Sequence, residues 1–101
     1  MLRLMIVDDE QIIREALSEM IDYPSIGYEL IATTKNGMEA YDFICDEYPD
    51  VVITDIRMPI LNGLDLIERS MKSDSKITFI LLSGYSEFEY ARSAIQYGVS
   101  D

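Results

Sequence analysis

The sequence has no histidine, no tryptophan and a single cysteine, Cys45. Without histidine, imidazole acid/base catalysis and histidine metal ligation are excluded. One cysteine rules out a disulfide framework and leaves too few thiolates for a zinc site. Cys45 is expected to pack in the core or at its boundary, with no redox role. Basic residues are scarce: 8 Lys and Arg stand against 19 Asp and Glu, a formal net charge of −11. So acidic a domain repels nucleic acid and anionic membrane, and it is not expected to bind either directly. No apolar run approaches the length that spans a membrane. The N-terminus lacks the basic region, apolar stretch and cleavage site of a signal peptide, so the expected location is the cytoplasm. Any metal held here would sit on oxygen, which points to Mg²⁺, Ca²⁺ or Mn²⁺.

What is present is a regular alternation. The 101 residues suit one domain with a real core. Residues 2–7 read as an apolar strand, and residues 10–22 have helical spacing with Ile12, Ile13, Ala16, Leu17, Met20 and Ile21 on one face. Pro24 and Gly27 break that helix before a second strand at 28–33. Asn36 with Glu39 marks the start of a helix that runs to about Tyr48, with Ala40, Phe43 and Ile44 inward and Pro49 closing it. Residues 51–54 form a third strand ending in Asp55. Asn62 can cap the next helix, with Leu64, Ile67 and Met71 inward. Residues 77–82 form a fourth strand. Ser86 with Glu89 opens a last helix carrying Phe88, Ala91 and Ile95 and stopping at Gly98. Strands 1, 3 and 4 are nearly continuous apolar runs, as parallel strands covered on both faces require. The expectation is an α/β fold with right-handed crossovers.

In a parallel sheet the strand C-termini share one edge, where ligands bind at the point of reversed strand order. Here strand 1 ends in Asp8 and Asp9, strand 3 in Asp55 and strand 4 in Ser83. In a 2-1-3-4 order these residues converge. Each alone reads as a cap or turn residue. Together, three carboxylates repel unless a cation or a proton intervenes. Mg²⁺ suits such a site, because it keeps several waters and favours one or two carboxylates plus a phosphoryl group. Asp55 can then attack phosphorus to form an aspartyl phosphate, with Ser83 and backbone N–H groups near Arg57 as donors to the phosphoryl oxygens. Pro59 biases Met58 towards an extended conformation in the loop after Asp55.

The stretches "IVDDE", "VVITDIRMPILNGLDLI" and "FILLSGYSEFEYARSAIQYGVSD" together resemble the receiver domain of bacterial two-component response regulators, over essentially the whole chain. The resemblance implies a flavodoxin-like, doubly wound parallel sheet of order 2-1-3-4. It implies Asp55 as phosphoacceptor, Asp9 as direct Mg²⁺ ligand, Asp8 acting mainly through water, and the Arg57 backbone carbonyl completing the metal site, with Mn²⁺ as a substitute. Ser83 matches the hydroxyl that moves to bond the phosphoryl group and begins a switch. The implied donor is a phosphohistidine on a sensor histidine kinase. The implied role is that of a signalling domain which assists its own phosphorylation and dephosphorylation, not an enzyme. The last stretch also resembles regulators with an AraC-type helix-turn-helix output domain, and the family implies dimerisation on phosphorylation. The family continues with a fifth strand, a lysine at its end and a fifth helix. This sequence ends at Asp101, and Lys35, Lys72 and Lys76 do not match that lysine. Residues 1–101 are therefore expected to be a receiver domain incomplete at its C-terminus. The alternative is a receiver-shaped interaction module that is not phosphorylated. A flavodoxin-like nucleotide binder would need a Gly-, Ser- or Thr-rich loop where Asp8-Asp9-Glu10 stand. A phosphatase with an aspartyl intermediate would need its second acid differently placed.

Overall fold

The structure, a computed structural model, describes residues 1–58, 60–72 and 76–82. The elements run β1 (Leu2–Val7), α1 (Gln11–Met20), a short 3-10 turn (Tyr23–Ile26), β2 (Tyr28–Thr34), α2 (Gly37–Glu47), β3 (Val51–Asp55), α3 (Gly63–Lys72) and β4 (Thr78–Leu82). The four strands form one parallel sheet in the order β2-β1-β3-β4, as the sequence pattern predicts. The helix starts are also where the capping residues put them. Asn36 Oδ1 accepts from the Glu39 N–H at 2.8 Å, and Asn62 Oδ1 accepts from the Asp65 N–H at 2.8 Å. Each satisfies a donor that the first helical turn leaves without a partner. Gly27 ends the 3-10 turn with φ 88, a conformation that favours glycine. The Ser86–Gly98 helix expectation lies outside the described residues, as does Pro59.

Two apolar layers cover the sheet. On one face Met5, Val7, Val52 and Phe79 pack under Ala40 and Ile44 of α2 and Leu66 and Ile67 of α3. On the other, Leu4, Ile6, Val51 and Ile53 pack with Tyr23, and Leu17 of α1 reaches in from the rim. Tyr23 is buried with its hydroxyl donating to the Leu17 carbonyl at 2.7 Å, which fastens α1 to the turn that follows it.

Several expectations about side-chain burial need correction. Ile12 and Met20 are about four-fifths exposed, at 80% and 81%, and Ile13 and Ile21 also count as exposed. The apolar stripe of α1 is wider than its contact with the sheet. Arg14 Nη1 donates to the Asp8 carbonyl at 2.7 Å and turns the Arg14–Leu17–Ser18 side of the helix inward. Ile12 and Met20 are left at the far edge of the stripe. Met71 is exposed because it lies in the last turn of α3, beyond the sheet layer that holds Leu66 and Ile67. Cys45 is exposed rather than packed, since it follows Ile44 and so falls off the buried line of α2.

The pairing of β1 with β2 carries one irregularity. Leu4 pairs with Leu30, but Met5 pairs with Ala32, so Ile31 is an extra residue in β2. The bulge resets the alternation of faces and lets the Thr34 carbonyl accept from the Asp8 N–H at 3.1 Å.

Candidate metal and phosphoacceptor site

The central strands β1 and β3 run side by side in register, with Val7 opposite Thr54. The residues that follow, Asp8 and Asp55, therefore emerge at one edge. One carboxylate oxygen from each of Asp8, Asp9 and Asp55 lies within 4.8 Å of the others. The three differ in environment: Asp8 is buried, Asp55 partly buried and Asp9 exposed. Asp8 is held by its surroundings. Its Oδ1 accepts from the Glu10 N–H at 2.9 Å, and its own N–H is spent on β2.

The electrostatics follow from that packing. Burial lifts the Asp8 carboxyl above the ordinary carboxylate range. The Glu10 N–H opposes this, the charges of Asp9 and Glu10 add to it, and Arg14 opposes it. Burial also lifts Asp55, and the Asp8 charge lifts it further. The N–H of Ile56 opposes the rise, Asp9 adds to it and the N–H of Arg57 opposes it. Both rises come first from burial, and the clustered negative charges add to them. All-oxygen donors, mixed in burial and close enough to share one ion, fit a hard divalent cation of the Mg²⁺ type.

The loop after Asp55 is built tightly. The Gly63 N–H donates to the Ile56 carbonyl at 2.8 Å, closing the segment on itself. Gly63 sits against the Asp55 carbonyl so closely that a Cβ would collide with that oxygen, while also lying 3.1 Å from Ile56 Cα. Thr54 Oγ1 donates to the same Asp55 carbonyl at 3.0 Å. Arg57, in this loop, is exposed, and Met58 and Leu61 turn into the core. Ile60 adopts φ 74 with its side chain 81% exposed, a left-handed conformation that a β-branched residue rarely takes.

Of the site residues expected from sequence, Asp8, Asp9 and Asp55 come together and Arg57 lies in the loop beside them. Ser83 lies outside the described residues. Sequence reasoning missed Arg14, Thr34, Gly37 and Gly63. Arg14 holds the Asp8 carbonyl, and its place one helical turn after Glu10 is its only signal. Thr34 Oγ1 is buried and makes no hydrogen bond among the described residues. Gly63 is visible as the glycine after a capping asparagine, but its contact with Asp55 needs three-dimensional information.

Comparison with known proteins accords with this geometry. Residues 4–101 match the response regulator receiver domain family, and the chain belongs to it. It is 42% identical over 99 residues to the uncharacterized transcriptional regulatory protein YesN of Bacillus subtilis, covering 98% of this chain and 27% of YesN. It is 43% identical over 101 residues to the transcriptional regulatory protein HptR of Staphylococcus aureus, covering 100% of this chain and 39% of HptR. Thus the chain spans well under half the length of these curated relatives. Among solved structures, the REC domain of AraT, a response regulator from Geobacillus stearothermophilus, superposes with a TM-score of 0.91 at 36% identity, over 99% of this chain and 78% of that one. The chain is a receiver domain of the two-component response regulators, a signalling domain with transcriptional regulators among its relatives.

Proposed function

We propose that this domain receives a phosphoryl group on Asp55, in a Mg²⁺-dependent transfer from a phosphohistidine of a sensor histidine kinase. The observation that carries the reading is the convergence of Asp8, Asp9 and Asp55 at the C-terminal edge of the parallel sheet. In the step, an Asp55 Oδ attacks phosphorus and a P–O bond forms. The P–N bond breaks, and its electron pair returns to the imidazole of the donor. A bound Mg²⁺ supplies positive charge against the acids and the incoming phosphoryl. Asp9 would hold it directly, Asp8 mainly through water, and the Arg57 carbonyl would complete the set. The N–H groups of Ile56 and Arg57, which already oppose the rise of the Asp55 pKa, hold its carboxylate in place for attack. Ser83 would bond the transferred group and start the switch.

On this reading residues 1–101 are a receiver domain that assists its own phosphorylation and dephosphorylation without being an enzyme. The full-length protein is a cytoplasmic transcription regulator. Its output domain is of the AraC helix-turn-helix type, and the receiver controls that domain through a switched surface and through dimerisation on phosphorylation. Support comes from the names of the relatives, which are transcriptional regulatory proteins. Among the described residues no helix is long and apolar enough to cross a membrane.

The test is to incubate the protein with Mg²⁺ and acetyl phosphate and record its intact mass beside an Asp55→Asn variant. The expected result is one added phosphoryl on the parent and none on the variant. Addition to both would move the acceptor elsewhere. Addition to neither, repeated with the protein extended by its native C-terminal sequence, would favour the alternative of an interaction module that is not phosphorylated.

A further inference from the structure

The loop after Asp55 touches a residue far from it in sequence. Gly37 is the first residue of α2, held there by the Asn36 cap. A Cβ placed on Gly37 would collide with the Leu61 carbonyl oxygen and lie 2.8 Å from Leu61 Cβ and 2.9 Å from the Leu61 carbonyl carbon. Two of these atoms are backbone, and the third is the stem of a side chain buried in the core. None can swing away as the end of a flexible side chain can. Two residues on, Gly63 meets the Asp55 carbonyl in the same manner and bonds the Ile56 carbonyl. The loop is thus clamped at Leu61 from outside and at Gly63 against the strand that carries Asp55. Between strand and clamp, Ile60 is held in the left-handed region, a conformation that persists only where its surroundings impose it.

We propose that Gly37 is a positioning residue for Asp55, because its missing side chain lets α2 brace Leu61, and through Gly63 fixes the acceptor and the Arg57 carbonyl in register with Asp8 and Asp9. The proposal rests on the reading of these residues as a Mg²⁺ and phosphoacceptor site. Any Cβ at residue 37 pushes Leu61 away from α2. The push is passed by backbone contacts, so it reaches Asp55 rather than being absorbed by a side chain.

The experiment uses Gly37→Ala, with Tyr23→Phe as the control. Tyr23 lies in the layer on the opposite face of the sheet, so the control loses stability without touching the loop. In metal-free protein the ¹⁵N–¹H resonances of Asp55, Ile56 and Arg57 are expected to move in Gly37→Ala and to stay put in Tyr23→Phe. The Mg²⁺ dissociation constant should rise about ten-fold in Gly37→Ala, in line with the loss of groups that orient metal ligands, and be unchanged in the control. Resonances of Asp55–Arg57 that coincide with the parent's would overturn the proposal, and so would a Mg²⁺ affinity unchanged from it. A parent that binds no Mg²⁺ would sink the functional reading, while the metal-free spectra would still decide the brace. Ile60→Gly covers the case in which Gly37→Ala does not fold. With the clamp intact it should raise the urea midpoint and leave Mg²⁺ affinity as it is. A loss of affinity there would assign the loop's shape to Ile60 instead and refute the brace.

Discussion

Removing one charge from the acidic site should make the metal-free protein more stable. The perturbation is Asp55→Asn, which keeps the shape of the side chain and one acceptor oxygen for the N–H groups of Ile56 and Arg57. The carboxylate oxygens of Asp8, Asp9 and Asp55 lie within 4.8 Å of one another. At that separation two full charges repel by about 3 kcal/mol at an effective dielectric constant of about 20, and by about 1 kcal/mol in bulk water. Asp8 is buried but Asp55 is partly open to solvent, so screening favours the lower part of that range. Asp55 faces both Asp8 and Asp9, so about 2 kcal/mol of repulsion is relieved, and the hydrogen bond that the amide cannot replace offsets about 1 kcal/mol of it. A net gain of about 1 kcal/mol is expected at pH 7 in EDTA, which is about 1 M in urea midpoint for a domain of this size. Excess Mg²⁺ should then raise the parent's midpoint by more than the variant's, because a ligand stabilises in proportion to its affinity for the folded state. A variant no more stable than the parent in EDTA would refute the electrostatic argument. Equal stabilisation of both by Mg²⁺ would refute the siting of the ion at Asp55.

Burial of Asp8 and Asp55, with the neighbouring charges adding to it, gives a pH dependence with a definite sign. Asp8 and Asp55 are both raised above 3.8 in the folded protein, so folding favours their protonated forms. Their contribution to stability is complete below the unfolded value and is lost as pH rises through the folded values. In EDTA the advantage of Asp55→Asn over the parent should therefore open as pH climbs from 3.8 and vanish below it; a constant difference in urea midpoint across that range would contradict this. Asn36→Ala removes the cap of α2 and should cost about 1 kcal/mol in urea denaturation. Tyr23→Phe deletes the bond to the Leu17 carbonyl and should cost about 1 kcal/mol, with amide exchange in α1 accelerated.

The parts of this fold that rest on local chemistry are legible in the amino-acid sequence itself. Asn36 and Asn62 announce their helices because an oxygen at that position answers donors three residues on. The apolar runs of β1 and β3 demand cover on both faces, and from a parallel sheet the meeting of Asp8, Asp9 and Asp55 follows by topology. What fails depends on how much of an apolar surface a neighbour can reach. Ile12, Met20 and Met71 have the right spacing for burial, yet the helices are rotated or extended so that other residues take the contact. Gly37 and Gly63 show the opposite limit. Spacing identifies them as turn or helix-start residues, whereas their importance lies in which distant backbone atom occupies the space where a Cβ would be.

The bulge at Ile31 has a bearing on how this domain tolerates changes in length. An edge strand such as β2 ordinarily accepts the loss of a residue, and deleting Ile31 would restore an unbroken pairing with β1. Because Ala32 already pairs with Met5, that deletion would leave the rest of β2, and the Asn36 and Gly37 that follow it, at the same level along β1. A residue removed after Thr34 has no such slack behind it, and would draw Asn36 and Gly37 back by about 3.3 Å, off the Leu61 backbone that Gly37 now fits against. The spare residue in β2 is thus a point at which the chain can shorten without moving the start of α2. A strand shortened at Ile31 would still pair and would keep the loop behind Asp55 supported, while the same loss a few residues later would take that support away.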